Sequence, residues 1–262
     1  MESIFNFWSK LIGLPPLAST NGVGVDWLII LIHWLMIALF IGWFGYFVFT
    51  LVRFRSSRHP KADYHGVRSH ASNYIELVVA GVEVVLLVFV AVPLWARATS
   101  KFPSPAESTE VQIVAQQFAW NLRYPGKDGA FGKQNMGFVT PENIFGVDPA
   151  DTKGKDDVQL LNEMHVPVNK PVIAYISSKD VIHSFKVLAM RMTQDAIPGM
   201  RIPVHFTPTK EGRYQINCAQ LCGNGHSSMS GGFLVVDSQA DYDKWLAAKS
   251  AAAAAGGNTS FE

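Results

Sequence analysis

Cys218-Ala-Gln-Leu-Cys222-Gly-Asn-Gly-His226-Ser-Ser-Met229 is the stretch on which the rest of the chain turns. It holds both cysteines of the protein, a histidine four residues after the second, and a methionine three beyond that. Thiolate, imidazole and thioether together form the donor set that copper prefers over harder metals. Two sulfurs at this spacing can be shared by two metal ions, with His226 and Met229 as terminal donors from the same loop. The competing reading is a disulfide, the ordinary fate of paired cysteines outside the cytosol. A disulfide has no use for a histidine and a methionine at these offsets, so the loop reads as a copper site.

Working outward, a dinuclear site built from this loop is short of one terminal ligand. The obvious donor is His183, in Asp180-Val-Ile-His-Ser-Phe185, at the head of a strand just after the Lys179-Asp180 turn. His165 and His205, each near a proline in a strand context, read as structural. Around these residues run short β-rich segments: 111–124, 165–177, 182–190, 202–218 and 232–236. Glycine, proline and aspartate separate them, the pattern of an all-β sandwich or barrel. Residues 126–157, rich in Gly and Asp, read as loop. A helix over 241–248 closes the domain, and 250–262 is an Ala/Gly tail of low complexity with nothing to bury.

Upstream the composition changes. From Trp27 to Val52 there is no charge, and at 1.5 Å per residue such a helix spans about 39 Å, more than the roughly 30 Å hydrocarbon layer. Asp26 is placed to be its N-cap. A second apolar run, Ile75 to Trp95, is bracketed by Tyr74 and Trp95 as interfacial aromatics. Between them lie Arg53, Arg55, Arg58, Lys61 and Arg68 against one acid, Asp63. The positive-inside rule puts this loop in the cytoplasm and everything after the second helix outside. The expected organisation is therefore an N-terminal interfacial segment 1–24, a transmembrane hairpin 25–97 (helices about 26–52 and 74–96, cytoplasmic loop 53–73), a β domain 98–249 and the tail 250–262. No secretory signal peptide is read in 1–24. His59, His65 and His70 read as part of a solvated basic face. Glu76 sits at the cytoplasmic end of the second helix. Glu83 is two turns deeper, where an ionisable group needs a protein partner or a wet cavity. His33 reads as a helix-packing hydrogen bond.

Overall, 48% of residues are apolar and 16% charged, a membrane-like balance. A net charge of +1 excludes a nucleic-acid binder driven by bulk charge. Two cysteines make no disulfide scaffold, and the Cys-x-x-Cys-His pattern for haem c attachment is absent.

The hairpin, the β domain, Asp180-Val-Ile-His-Ser-Phe185, Gln194-Asp-Ala-Ile-Pro-Gly-Met200 and the copper loop together resemble subunit II of the haem–copper cytochrome c oxidases, over about residues 25 to 248. The resemblance implies a cupredoxin-like domain carrying the dinuclear CuA centre. It implies that Cys218 and Cys222 bridge two coppers, that His183 and Met229 complete one ion, and that His226 and the carbonyl of Gln220 complete the other. It also implies subunits I and III as partners, a c-type cytochrome as electron donor, and a bacterial inner (plasma) membrane with both termini and the CuA domain on the periplasmic side. Glu76 matches an acid at the mouth of a proton channel into subunit I. Two departures matter. Gln220 stands where the family has a glutamate that helps to hold magnesium, and a neutral amide is a weaker ligand for a hard cation. In Gln117-Phe-Ala-Trp120, Phe118 replaces the tryptophan through which electrons come in, while Trp120 remains.

Other classes fit less of the chain. A copper-free structural subunit of a quinol oxidase keeps the hairpin and β domain but not the Cys/His/Met set. A membrane-tethered copper chaperone uses Cys-x-x-x-Cys on a thioredoxin-type βαβ pattern, without the methionine. Nitrous oxide reductase shares the loop but lacks the hairpin and needs a large additional domain.

Overall fold

The long uncharged runs become helices because nothing within them offers the backbone a better partner than its own carbonyls. In the computed structural model, which describes residues 2–61, 64–66 and 69–256, α1 (Glu2–Leu11) and α2 (Gly22–Arg53) are separated by the non-helical segment 12–21. The second apolar run is continuous helix from Ala71 to Ser100, formed by α3 (Ala71–Leu86), a π-helical turn (Leu87–Ala91) and α4 (Val92–Ser100). Pro93 has no N–H to offer the preceding turn, and a widened turn just before it is one way to absorb that loss. Both helices are long and apolar enough to cross a membrane, and almost none of either is buried within the chain itself. Rings of α1 pack on α2, Phe5 on Trp27 at 5.3 Å and Trp8 on Trp34 at 4.3 Å. Asp63 and Arg68 of the basic loop, and residues 257–262 of the tail, lie outside the described residues.

The helix begins at Gly22 rather than 26, so Asp26 is a buried residue of its second turn and not the N-cap. Ser19 does that work, its Oγ accepting the N–H of Gly22 at 3.2 Å. The stretch read as one interfacial segment also divides. Pro15–Val23 belongs with the β unit rather than with α1. Ala18 donates its N–H to the Ala189 carbonyl and accepts that of Thr209, both at 2.8 Å. Arg191 donates to the Pro15 carbonyl at 2.6 Å. Backbone pairing of this kind depends on no side-chain pattern, which is why the sequence gives no sign of it.

The β unit is a sandwich of two five-stranded sheets. One runs β3 (Val158–Leu161), β2 (Ala119–Tyr124), β1 (Thr109–Gln116), β5 (Val172–Ser178), β8 (Ile202–Phe206). The other runs β4 (Glu163–Pro167), β10 (Gly232–Asp237), β9 (Gly212–Cys218), β6 (His183–Val187), β7 (Met192–Ala196). Three of the five β-rich runs each hold two strands: 111–124 is the β1–β2 hairpin, whereas 165–177 (β4, β5) and 202–218 (β8, β9) each cross from one sheet to the other. β3 and β7 fall outside the expected runs, and the polar face of Thr193-Gln-Asp195 is what hides β7. Ile113, Trp120, Leu122, Phe185, Ile216 and Leu234, all fully buried, are among the side chains that fill the space between the sheets.

Residues 126–157 are loop, broken by short 3-10 turns at Met136–Phe138 and Thr152–Asp156. Buried Arg123 holds them, donating to Asp157 Oδ2, Gln112 Oε1 (3.1 Å) and the Gly132 carbonyl (2.8 Å). The closing helix α5 runs Gln239–Ala254, with Ser238 as N-cap. The expected tail is thus helical well past 250: alanine is the best helix former, and Ser250 is buried. Its Oγ donates to the Asp156 carbonyl at 3.1 Å and accepts the N–H of Lys127 at 2.9 Å.

Candidate metal centre

The loop from the end of β9 to the start of β10 returns over one end of the sandwich and meets the head of β6. Glycine makes this path possible. Gly223 adopts φ +136, and a Cβ on Gly225 would stand 2.4 Å from the Phe118 ring. With both positions bare, the loop lies flat on Phe118 and folds its donors inward.

Those donors converge. Cys218 Sγ lies 3.9 Å from Cys222 Sγ, 4.0 Å from His183 Nδ1 and 3.1 Å from the Gln220 carbonyl oxygen. Cys222 Sγ lies 3.4 Å from His226 Nδ1 and 3.5 Å from Met229 Sδ. The ligand atoms of His183, Cys218 and Cys222 all fall within 4.8 Å of one another. His183 and Met229 are fully buried, and both cysteines nearly so. The sulfurs are free thiols, at nearly twice the roughly 2.05 Å of a disulfide bond. All six residues expected to form the site are therefore neighbours.

The electrostatics of the sulfur pair ask for a cation. Burial pushes the Cys222 thiol up to about 11 from an ordinary 9.0, and the adjacent Cys218 pushes in the same direction. A soft metal between the sulfurs reverses this, since coordination deprotonates a thiol outright. Thiolates, imidazoles and a thioether together fit copper, and the site passes that test on its donor chemistry.

Two groups that sequence reasoning did not single out brace the donors. Asp180 Oδ1 lies 2.8 Å from His183 Nε2, and its Oδ2 accepts the backbone N–H of Gln117 at 2.6 Å. Burial pushes the Asp180 carboxyl up, but the Gln117 N–H, the His183 imidazole and the Val181 N–H outweigh it and hold the pKa below the ordinary range. The side-chain amide of Gln117 donates to the Cys222 carbonyl at 2.7 Å. The only sequence signal for Asp180 was its place three residues before a candidate ligand histidine.

Trp120 is fully buried, donates its indole N–H to the Met229 carbonyl at 3.0 Å, and meets the His183 ring edge-on at 6.2 Å. Phe118 is half-buried against the loop glycines. Glu76 and Glu83 lie on α3, exposed in the isolated chain and two turns apart on one helix face. His33 bonds the Ile29 carbonyl of its own helix at 2.8 Å, not a neighbouring helix. His59, His65 and His70 are exposed and form no metal cluster among the described residues. His165 is held between Asp237 (2.7 Å) and Glu163 (3.0 Å), away from the sulfurs.

Comparison with known proteins decides the family. The model of the cytochrome c oxidase subunit II periplasmic domain matches residues 110–238. The alternative cytochrome c oxidase subunit 2 of Bradyrhizobium diazoefficiens is 31% identical over 229 residues, covering 87% of this chain and 81% of that protein. The chain belongs to the cytochrome c oxidase subunit II family. The subunit 2 of Cereibacter sphaeroides is similar too, 28% identical over 227 residues, 82% of this chain and 75% of that one. Among solved structures, the periplasmic domain of subunit II (CoxB) of Bradyrhizobium japonicum is 26% identical and covers 57% of this chain and 96% of that one, with a TM-score of 0.42. As a subunit II, the chain combines two apolar helices with a β-sandwich of two five-stranded sheets and is a subunit of a cytochrome c oxidase.

Proposed function

We propose that this subunit II chain holds a dinuclear CuA centre and relays single electrons from a c-type cytochrome to haem in subunit I, where oxygen becomes water. The observation that carries this is the convergence of two buried sulfurs, two Nδ1 atoms, a thioether and one backbone carbonyl on a single spot. Cys218 and Cys222 would supply the shared sulfurs, and His183, Met229, His226 and the Gln220 carbonyl the terminal donors. When bound, the copper pair supplies one reversible one-electron couple spread over two ions.

The chain's own residues supply the rest. Ligands fixed by β6, β9 and a loop pinned to Phe118 keep donor positions constant between oxidation states, so little reorganisation opposes transfer. Met229, buried and weakly donating, tunes the potential in the manner of axial methionines in blue-copper sites. With every donor supplied by protein and the site nearly closed to water, no position is left for substrate. Phe118, half-exposed against the loop glycines, forms the surface where electrons come in, and Trp120 carries them on to His183, whose ring it meets edge-on.

The exposed Gln220 is a neutral amide and a poor magnesium ligand, so we infer no magnesium role for its side chain. The domain boundaries, with the hairpin over 25–97 and the CuA domain over 98–249, belong to the same reading, the helical tail now added to that domain. The basic loop supports an inner-membrane topology with the sandwich on the periplasmic side, and Glu76 at the cytoplasmic end of α3 serves as a proton-channel mouth. Subunit III joins subunit I as a neighbour in the complex. A copper-free quinol oxidase subunit has no reason to gather this donor set. Rapid mixing of the copper-loaded full chain with a reduced c-type cytochrome tests the proposal: oxidation of the cytochrome, one electron per chain, is expected. No oxidation beyond that of a Cys218→Ser, Cys222→Ser control would remove the relay role.

A further inference from the structure

The ligand histidine of β6 and the ligand cysteine of the loop come from elements far apart in sequence, yet one pair of residues ties them together. Asp180 accepts the N–H of Gln117 at 2.6 Å and that of Val181 at 2.7 Å, which fixes its carboxylate with Oδ1 2.8 Å from His183 Nε2. Gln117 reaches the other way, its Nε2 donating to the Cys222 carbonyl at 2.7 Å. A carboxylate can only accept, so the proton of a neutral His183 sits on Nε2, and Nδ1 faces Cys218 Sγ with its lone pair free. Metal-binding histidines are commonly oriented this way by an outer carboxylate, which also makes the bound nitrogen a stronger donor.

We propose that Asp180, clamped by Gln117, is a positioning residue: it sets the tautomer and angle of His183 and lowers the reduction potential of the centre with its charge. This rests on the copper reading above. The sign follows from the charge. Two coppers carry more positive charge when oxidised, so an anion one imidazole away stabilises the oxidised state more than the reduced one. Asp180→Asn keeps the shape and the acceptor oxygen but removes the charge, whereas Asp180→Ala removes both.

The test uses the full chain in detergent, wild type beside Asp180→Asn, Asp180→Ala and Gln117→Ala. Three quantities are measured: copper affinity, midpoint potential, and the His183 tautomer of the metal-free protein by 15N NMR. In Asp180→Asn the potential is expected to rise, with the reduced-to-oxidised ratio at a fixed poise increasing by up to about tenfold, 59 mV for one electron. Asp180→Ala is expected to lose about 10- to 100-fold in copper affinity and to mix the His183 tautomers, and Gln117→Ala to shift the same quantities less. Potential, affinity and tautomer all unchanged in both Asp180 variants would overturn the proposal. If Asp180→Ala does not fold, the potential of Asp180→Asn decides alone. A wild-type chain without two coppers would sink the relay reading instead, and the tautomer measurement would still judge Asp180.

Discussion

Each donor in the metal loop is individually ordinary, and the chemistry comes from their crowding. Cys218→Ser removes one of the two sulfurs proposed to bridge the metals and is expected to abolish any two-copper spectrum. His205→Ala is expected to leave that spectrum unchanged, because the His205 ring packs on Phe102 at 4.8 Å rather than on a sulfur. Parallel optical spectra of the two variants check this pair. The Cys222 thiol gives a pH dependence with a definite sign. Its folded pKa of about 11 lies above the ordinary 9.0, so between these values the unfolded chain releases a proton that the native state retains. Stability of the metal-free protein is therefore full below pH 9.0 and falls as pH rises toward about 11. Urea midpoints across that window should show a decline that Cys222→Ala reduces; equal declines in both would refute it. At this scale the sequence was highly legible. A chemically rare donor set in one loop announces itself, and His183 followed from the need for one more ligand. Asp180 and Gln117 were not legible, because hydrogen bonds to backbone atoms leave no mark in residue type.

At the scale of elements, sequence pattern worked where it had a physical period to read. Long uncharged runs gave the two membrane-length helices, and alternating β-branched segments gave most strands. It failed where backbone pairing or a single polar contact decides. Pro15–Val23 docks on the β unit by main-chain bonds, β7 presents a polar face, and α5 continues through residues that composition alone assigns to a loose tail. Ser250 is the hinge of that last difference. Ser250→Ala removes its bonds to Asp156 and Lys127 and is expected to cost about 1 kcal/mol, since a buried hydroxyl loses two part-buried hydrogen bonds. Thermal unfolding of the variant measures it; an unchanged midpoint would mean that the end of α5 packs without consequence. Arg123 offers a larger effect in the same region. Arg123→Ala strands the Asp157 carboxylate in a buried site and is expected to cost about 3–5 kcal/mol, read as a lower urea midpoint with the loop 126–157 opened to protease.

At the scale of the whole molecule, one chain joins a membrane-length hairpin to a sandwich whose loop end gathers two sulfurs, two imidazoles and a thioether. The fold class was readable because each half has its own strong signature, lipid-matched length in one and turn-separated strands in the other. The most direct test is electron paramagnetic resonance with metal analysis on the freshly isolated, copper-loaded full chain. The account predicts two coppers per chain and a seven-line hyperfine pattern from one electron shared over both nuclei. One copper per chain with a four-line pattern, or sulfurs joined to each other and no copper bound, would contradict it.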